Sequence, residues 1–555
     1  MIQQQHEPVS FNAGRLGHIQ GLDIKPGSES AVRFFGGLPY AQPPTGEWRF
    51  RGPRRLPQDH QYGTLAKPGQ HTRGTWWCPQ PPSSNTPDAS IVSEDCLQLN
   101  IWVPAGRPPP EGGWPVCFYI HGGFLQVGTA NLGPGALAPL LGDKESVFRA
   151  IMVLPAYRLN VFGFLASREL ADEARAADGG NMGLWDQRAA LEWTHDNITC
   201  FGGDPDNITV AGYSAGAYSA LQQLGHELFR VPAHRAIIRR VAAFSNSPGL
   251  QPKTFRDQQE QFDELLTRLG ISLELSAETK LAKLRSLPHQ DLVEAQAGMR
   301  LSEFRVVADD RFYPADLVAR INDGRFARQM KTRGVTLLSG ECALEHTMYR
   351  RWRTPGESRA AVEQRLRAEY GQDAAAALMR YYHCAGDGDD DTQLPRGHAS
   401  WGHFFGHLYA GIQVHQLQRG FVHKLFEGGL EPGRDVLRYR FERRLACTTE
   451  KIPAELGVTH LTDIPVWLWG ADYREGLTDQ EKRWLASWNQ AFAAFVRGEA
   501  VAGWGPVRAD EMRRWRSDGA TDVWQDELWD DGVQFWHALN GKIYSRYDMA
   551  RYLLR

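Results

Sequence analysis

Three kinds of side chain in this sequence could together carry out acyl transfer: one serine in a glycine frame, acids downstream of it, and a late histidine. The serine is Ser214, in Gly212-Tyr-Ser-Ala-Gly216. An apolar β-branched run, Ile208–Val210, enters this pentapeptide and a helix-forming stretch, Ala217–Leu224, leaves it. A strand that turns sharply into a helix holds the central residue in strained geometry with its hydroxyl exposed. The helix points its positive end at the place where an oxyanion would develop. G-x-S-x-G alone recurs by chance, so the reading depends on what accompanies it.

A serine hydroxyl is a poor nucleophile until a histidine takes its proton and an acid orients that histidine. The strand-like run Gly334–Gly340 empties into Glu341-Cys-Ala-Leu-Glu-His-Thr347, which offers Glu341 and Glu345 as acids. Eighteen histidines supply many decoys. His403 and His407 are spaced i, i+4 on a probable helix, but no H-E-x-x-H pattern or third ligand accompanies them, so they read as packed or surface residues and no metal is expected. His460 follows the strand-like run Leu437–Phe441 and sits in a loop, which suits a base. Upstream, Trp114–Ile120 opens onto His121-Gly-Gly-Phe-Leu-Gln-Val-Gly128, where paired glycines would let backbone N–H groups approach a substrate oxygen.

The elements that must position these groups alternate between strand and helix. Ile151–Leu154 reads as a buried strand and Asn181–Trp193 as a helix ending near Asn197. A turn at Phe201–Asn207 leads into the elbow strand. This alternation predicts an α/β chain with a large, mostly parallel sheet covered on both faces. The 555 residues show no linker, repeat or block of like charge, so one domain over 1–555 is expected, with insertions at roughly 250–330 and 350–430. Thr478-Asp-Gln-Glu481 is a capping box opening a core helix lined by Trp484, Leu485, Trp488, Phe492 and Phe495. Ala385–Asp391 reads as a solvated acidic loop lacking the full calcium-loop pattern.

A net charge of −3 argues against nucleic acid as a partner. No apolar run is long enough to cross a bilayer. The first ten residues have neither a basic start nor an apolar core, so no signal peptide is read and a cytoplasmic location is favoured, secretion staying open if the N-terminus has been processed. Cys78 and Cys96 flank a polar loop. A disulfide there would stabilise the fold by about 3 kcal/mol on the chain-entropy estimate, whereas a reducing compartment would keep two thiols.

Several stretches together resemble the type-B carboxylesterases, the α/β-hydrolase group that includes cholinesterases and fungal esterases. They are Tyr40-Ala-Gln-Pro-Pro, Ser93-Glu-Asp-Cys-Leu-Gln-Leu-Asn, His121-Gly-Gly, Asn181-Met-Gly-Leu-Trp-Asp-Gln-Arg, Phe201-Gly-Gly-Asp-Pro and Gly212-Tyr-Ser-Ala-Gly. The resemblance implies an α/β-hydrolase fold with cap insertions and a chain order of Ser, acid, His. It selects Glu345 as the acid, matching the family's D-E-G loop, and supports His460 through an H-x-x-[DE] pattern. It implies backbone oxyanion donors at Gly123, Phe124 and Ala215, no cofactor, and a homodimer. The family's usual glycine at the second donor position is Phe124 here, and its elbow glutamate is the neutral Tyr213. With no Trp between Cys78 and Cys96, these departures argue against choline esters and look more like fungal esterases. The function expected is hydrolysis of a small-molecule carboxylic ester or lactone. The alternatives are acyl transfer or cyclisation in a biosynthetic pathway and, in the minor case, a non-catalytic binding role.

Overall fold

The computed structural model describes residues 4–26, 31–82, 89–173, 179–383 and 394–541. Among them a 13-stranded sheet runs through the molecule. It begins with antiparallel strands, Gln4–Asn12, His18–Pro26, Val32–Pro39 and Gln98–Pro104. The last of these pairs antiparallel with Ile151–Pro155. From there the sheet is parallel, in the order Ile151–Pro155, Trp114–Ile120, Gly203–Tyr213, Ile238–Phe244, Thr336–Cys342, Val436–Phe441 and Glu511–Trp515. Thr521–Gln525 closes the far edge antiparallel.

Every residue of Trp114–Ile120 and of Ile151–Pro155 is buried. That is what continuous apolar runs produce when helices cover both faces of a parallel sheet. The segment expected as a turn at Phe201–Asn207 instead joins the elbow strand from Gly203. Gly203 pairs with Trp114 and the next paired residue is Ile208, so the polar residues between them bulge out of an otherwise continuous strand.

The helix Met182–Asn197 ends where the sequence indicated. The helix Asp479–Arg497 opens on a capping box in which the Thr478 hydroxyl accepts the Glu481 N–H, and its C-terminus closes on Gly498 in the left-handed region. Its Leu485, Trp488, Phe492 and Phe495 are buried, each contributing about 1.5–3 kcal/mol by removal from water. Helices fill the chain between sheet strands: Phe255–Arg268, Ala277–Ser286 and His289–Ala297 before Thr336–Cys342, then Arg359–Tyr370, Trp401–Ala410 and Gln416–Glu427 after it. The acidic stretch Ala385–Asp391 lies outside the described residues. No helix among the described residues is long and apolar enough to cross a membrane.

Candidate active site

Ser214 stands at the C-terminal end of the strand Gly203–Tyr213 and caps the helix Ala215–Arg230, with φ 56° and ψ −125°. Such a conformation costs a non-glycine residue about 1–3 kcal/mol and persists only where the surroundings over-determine it. Here its N–H donates to Phe244 O at 2.9 Å, pinning it to the neighbouring strand. The residue is 6% exposed.

The loop leaving Trp114–Ile120 runs directly past this serine. A methyl group built on Gly122 would lie 3.6 Å from Ser214 Oγ. Gly123 has φ 111°, and a Cβ there would sit 1.9 Å from Val127 O, so no other residue fits. Phe124 and Leu125 follow with φ 60° and 63°. The left-handed turn is therefore made without the second glycine. Among the described residues no hydrogen bond engages the N–H of Gly123, Phe124 or Ala215. The loop is braced from outside: the Gln80 amide donates to Gly128 O at 2.9 Å and accepts its N–H at 2.8 Å. Gln80 sits beside Cys78, which is joined to Cys96 with Cα atoms 5.3 Å apart.

Of the two acids after Thr336–Cys342, Glu345 reaches the late histidine. His460 Nδ1 lies 2.5 Å from Glu345 Oε2, and both side chains have 0% exposure. The other oxygen of Glu345 accepts the Cys342 N–H at 2.9 Å. Glu341 points elsewhere, into a buried cluster with Arg419 at 2.7 Å, His415 at 2.6 Å and Arg440 at 2.5 Å. Burial would raise its carboxyl, but the charges of Arg419 and His415 hold it well below the usual range.

Around His460, Tyr213 and Tyr349 carry no functional signature of their own in the sequence, and Asp463 enters it only as the acid of the H-x-x-[DE] pattern. Tyr213, noted there only as a neutral substitute for glutamate, accepts the Leu461 N–H on its hydroxyl and packs its ring 4.8 Å from the imidazole. Asp463 is buried and accepts from Ser245 and Tyr439, each at 2.9 Å. Its carboxyl is raised to about 6, first by burial and then by the charge of Glu345. Tyr349 shares the helix Glu345–Tyr349 with the acid, one turn on, and its hydroxyl lies 3.3 Å from both ring nitrogens of His460. The i, i+4 spacing from Glu345 is the one signal that places Tyr349 on the same helical face. Among the described residues no hydrogen bond joins the Ser214 hydroxyl directly to His460. Apo sites often hold such contacts long. Phe124, Trp352 and Tyr409 complete the aromatic lining, with Phe124 5.8 Å from Trp352 and 6.2 Å from Tyr409.

His403 and His407 lie one turn apart on the same face of the helix Trp401–Ala410, with Nε2 atoms 3.1 Å apart. Among the described residues no group of three or more His, Cys, Asp and Glu side chains is arranged to hold a metal ion.

The sequence profile of the carboxylesterase family matches residues 8–525. The chain belongs to that family. It is 64% identical, over 96% of each chain, to a carboxylic ester hydrolase of Gibberella moniliformis. It is also 35% identical to an uncharacterised esterase/lipase of Schizosaccharomyces pombe, over 96% of this chain and 97% of that one. The para-nitrobenzyl esterase of Bacillus subtilis is 33% identical over 53% of this chain and 54% of its own. This carboxylesterase therefore has the α/β-hydrolase fold, with the parallel strands and flanking helices described above supplying it. Within it, Ser214, the loop 121–128 and Glu345 stand just past the C-terminal ends of sheet strands, where open α/β sheets place their sites, and His460 comes from the long connection between Val436–Phe441 and Glu511–Trp515.

Proposed function

We propose that this carboxylesterase hydrolyses a small-molecule carboxylic ester or lactone through an acyl-enzyme on Ser214. The observation that carries this reading is the buried 2.5 Å contact between His460 Nδ1 and Glu345 Oε2 beside a strained Ser214. Ser214 Oγ attacks the carbonyl carbon as its proton passes to His460, which Glu345 orients. The N–H groups of Gly123, Phe124 and Ala215 hold the oxyanion, each such donor being worth about 2.7–4 kcal/mol. His460 then protonates the leaving oxygen, and water repeats the sequence to release the acid. The helical insertions near 250–330 and 350–430 act as the cap.

Choline is a poor fit as the alcohol. Tyr213 brings no charge and its hydroxyl is already engaged by Leu461, whereas a quaternary ammonium is recognised by aromatic faces with negative charge nearby. Acyl transfer or cyclisation in a biosynthetic pathway is the second reading. It is supported by the complete burial of His460 and Glu345 behind aromatic rings, which restricts the path of water to the acyl-enzyme.

The test is turnover of p-nitrophenyl esters from acetate to long chain, with intact-protein mass measurement of the acylated intermediate. The wild type is expected to turn over and to gain an acyl mass that Ser214→Ala does not gain. Turnover retained in Ser214→Ala would overturn the reading, and product carrying the acyl group on an added alcohol would favour transfer over hydrolysis.

A further inference from the structure

The hydroxyl of Tyr349 stands beside the candidate base, with the candidate nucleophile close by. It lies 3.3 Å from His460 Nδ1 and 3.3 Å from Nε2, and the Ser214 side chain is among its neighbours. Equal distances to both ring nitrogens put the oxygen off either lone-pair direction, so this is a poor hydrogen bond to the histidine. The position is fixed rather than incidental. Tyr349 is 1% exposed, and its ring packs 5.1 Å from Tyr409 and 6.4 Å from Phe124. The hydroxyl of Tyr409 is in turn held by Glu369 at 2.5 Å. Helical spacing sets Tyr349 over the same imidazole that Glu345 grips.

One other oxygen must occupy this neighbourhood during the reaction. The leaving oxygen of an ester is bonded to the carbon that Ser214 attacks, and it must come within reach of His460 Nε2 to collect a proton. The oxygen of the water that later releases the acyl group meets the same two requirements. Both arrive beside the Tyr349 hydroxyl.

Resting on the triad proposed above, we infer that Tyr349 is a further catalytic residue that donates a hydrogen bond to the leaving-group oxygen. As Ser214 Oγ bonds to the carbonyl carbon, its proton passes to His460 Nε2. When the carbon–oxygen bond to the leaving group breaks, the electron pair stays on that oxygen. The phenol O–H of Tyr349 stabilises the developing charge while His460 delivers the proton. Tyr349 keeps its own proton throughout. Burial, reinforced by the charge of Glu345, holds the phenol well above its ordinary range, which makes it a donor and not a shuttle.

A leaving-group donor matters most where the leaving group is poor. The experiment is kcat/KM for the wild type and Tyr349→Phe on phenyl esters of one acyl group, running from p-nitrophenyl to p-methoxyphenyl. Tyr349→Phe keeps the ring and its packing. The expected result is a steeper dependence on leaving-group basicity in the variant: less than about threefold loss on the p-nitrophenyl ester and about tenfold or more on the p-methoxyphenyl ester. An equal loss on every ester would make Tyr349 a packing residue, and unchanged rates would remove it from the mechanism; either overturns the proposal. Ser214→Ala, run on the same series, separates this from the triad, since activity surviving there would sink the acyl-enzyme itself.

Discussion

The hydroxyl of Tyr213 accepts the backbone N–H of Leu461, so the residue before the candidate nucleophile is tied to the residue after the candidate base. Leu461 needs the tie, because its backbone sits at φ 81°, a region unfavourable for a branched side chain. The elbow and the histidine loop come from distant parts of the chain, and this single bond fixes their relative height.

Tyr213→Phe is expected to leave the Leu461 N–H without its partner, at a cost of about 1–3 kcal/mol. With His460 less well held, kcat is expected to fall about tenfold while KM changes little. Steady-state kinetics on a p-nitrophenyl ester, with circular dichroism to verify folding, measures this. A rise in KM at constant kcat would mean that Tyr213 contacts substrate instead.

The two candidate acids are expected to respond oppositely. Glu345→Gln removes the charge that orients His460, and kcat is expected to drop by about 10³–10⁴ with the fold intact. Glu341→Gln leaves Arg419 and Arg440 short of a buried partner and is expected to cost about 3–5 kcal/mol of stability, with kcat per folded molecule unchanged. Urea denaturation and active-site titration of both variants check the pair. The assignment fails if Glu341→Gln is the one that abolishes turnover.

Phe124→Gly is expected to enlarge the site by removing a ring packed against Trp352, Tyr349 and Tyr409. The acyl-chain optimum is expected to move to longer chains, with kcat/KM for a long-chain ester rising relative to acetate by about tenfold or more. Glycine also suits the left-handed backbone at this position, so the donor N–H is kept. An unchanged chain-length profile would place the acyl group away from Phe124.

Asp463 sets a pH dependence of stability. Its folded-state value of about 6 stands above the ordinary 3.8, so the folded chain binds the proton more tightly than the unfolded chain does. The stabilisation is present in full below the unfolded value and is lost as pH rises through 6, by about 3 kcal/mol if the whole shift is expressed. Asp463→Asn keeps an acceptor oxygen for Ser245 and Tyr439 and removes the titration. Denaturant unfolding at pH 4 and pH 7 is expected to show the wild type losing more stability than the variant over that interval. Equal losses would mean that Asp463 is not the group responsible.

The parts of the site that depend on backbone geometry were legible in the sequence. Gly212 and Gly216 around Ser214, and Gly122 and Gly123 after a buried strand, leave a signature because few residues tolerate those conformations. The run of strands and helices was legible for the same reason, through continuous apolar stretches and caps. What the sequence did not show are contacts made by ordinary side chains at a distance. Nothing in the residue types says that Tyr213 would meet Leu461, that Gln80 would clasp Gly128, or that Asp463 would turn toward Ser245. Such pairings are decided by how the loops cross above the sheet. The bulge between Gly203 and Ile208 was hidden likewise, since its Asp-Pro-Asp-Asn composition reads as a turn whether or not a strand continues through it.

Neighbouring strands Thr336–Cys342 and Val436–Phe441 pair directly, yet beyond the short helix Glu345–Tyr349 the described chain between them is mostly helices outside the sheet, Arg359–Tyr370, Gln372–His383, Trp401–Ala410 and Gln416–Glu427 among them. That arrangement separates two kinds of evolutionary change. Insertions, deletions or exchanges among those helices can remodel what enters the site without moving the strand ends that hold Ser214, Glu345 and the loop at Gly123. Descendants of one ancestral sheet can thus diversify in the molecules they accept while inheriting the same bond-breaking step.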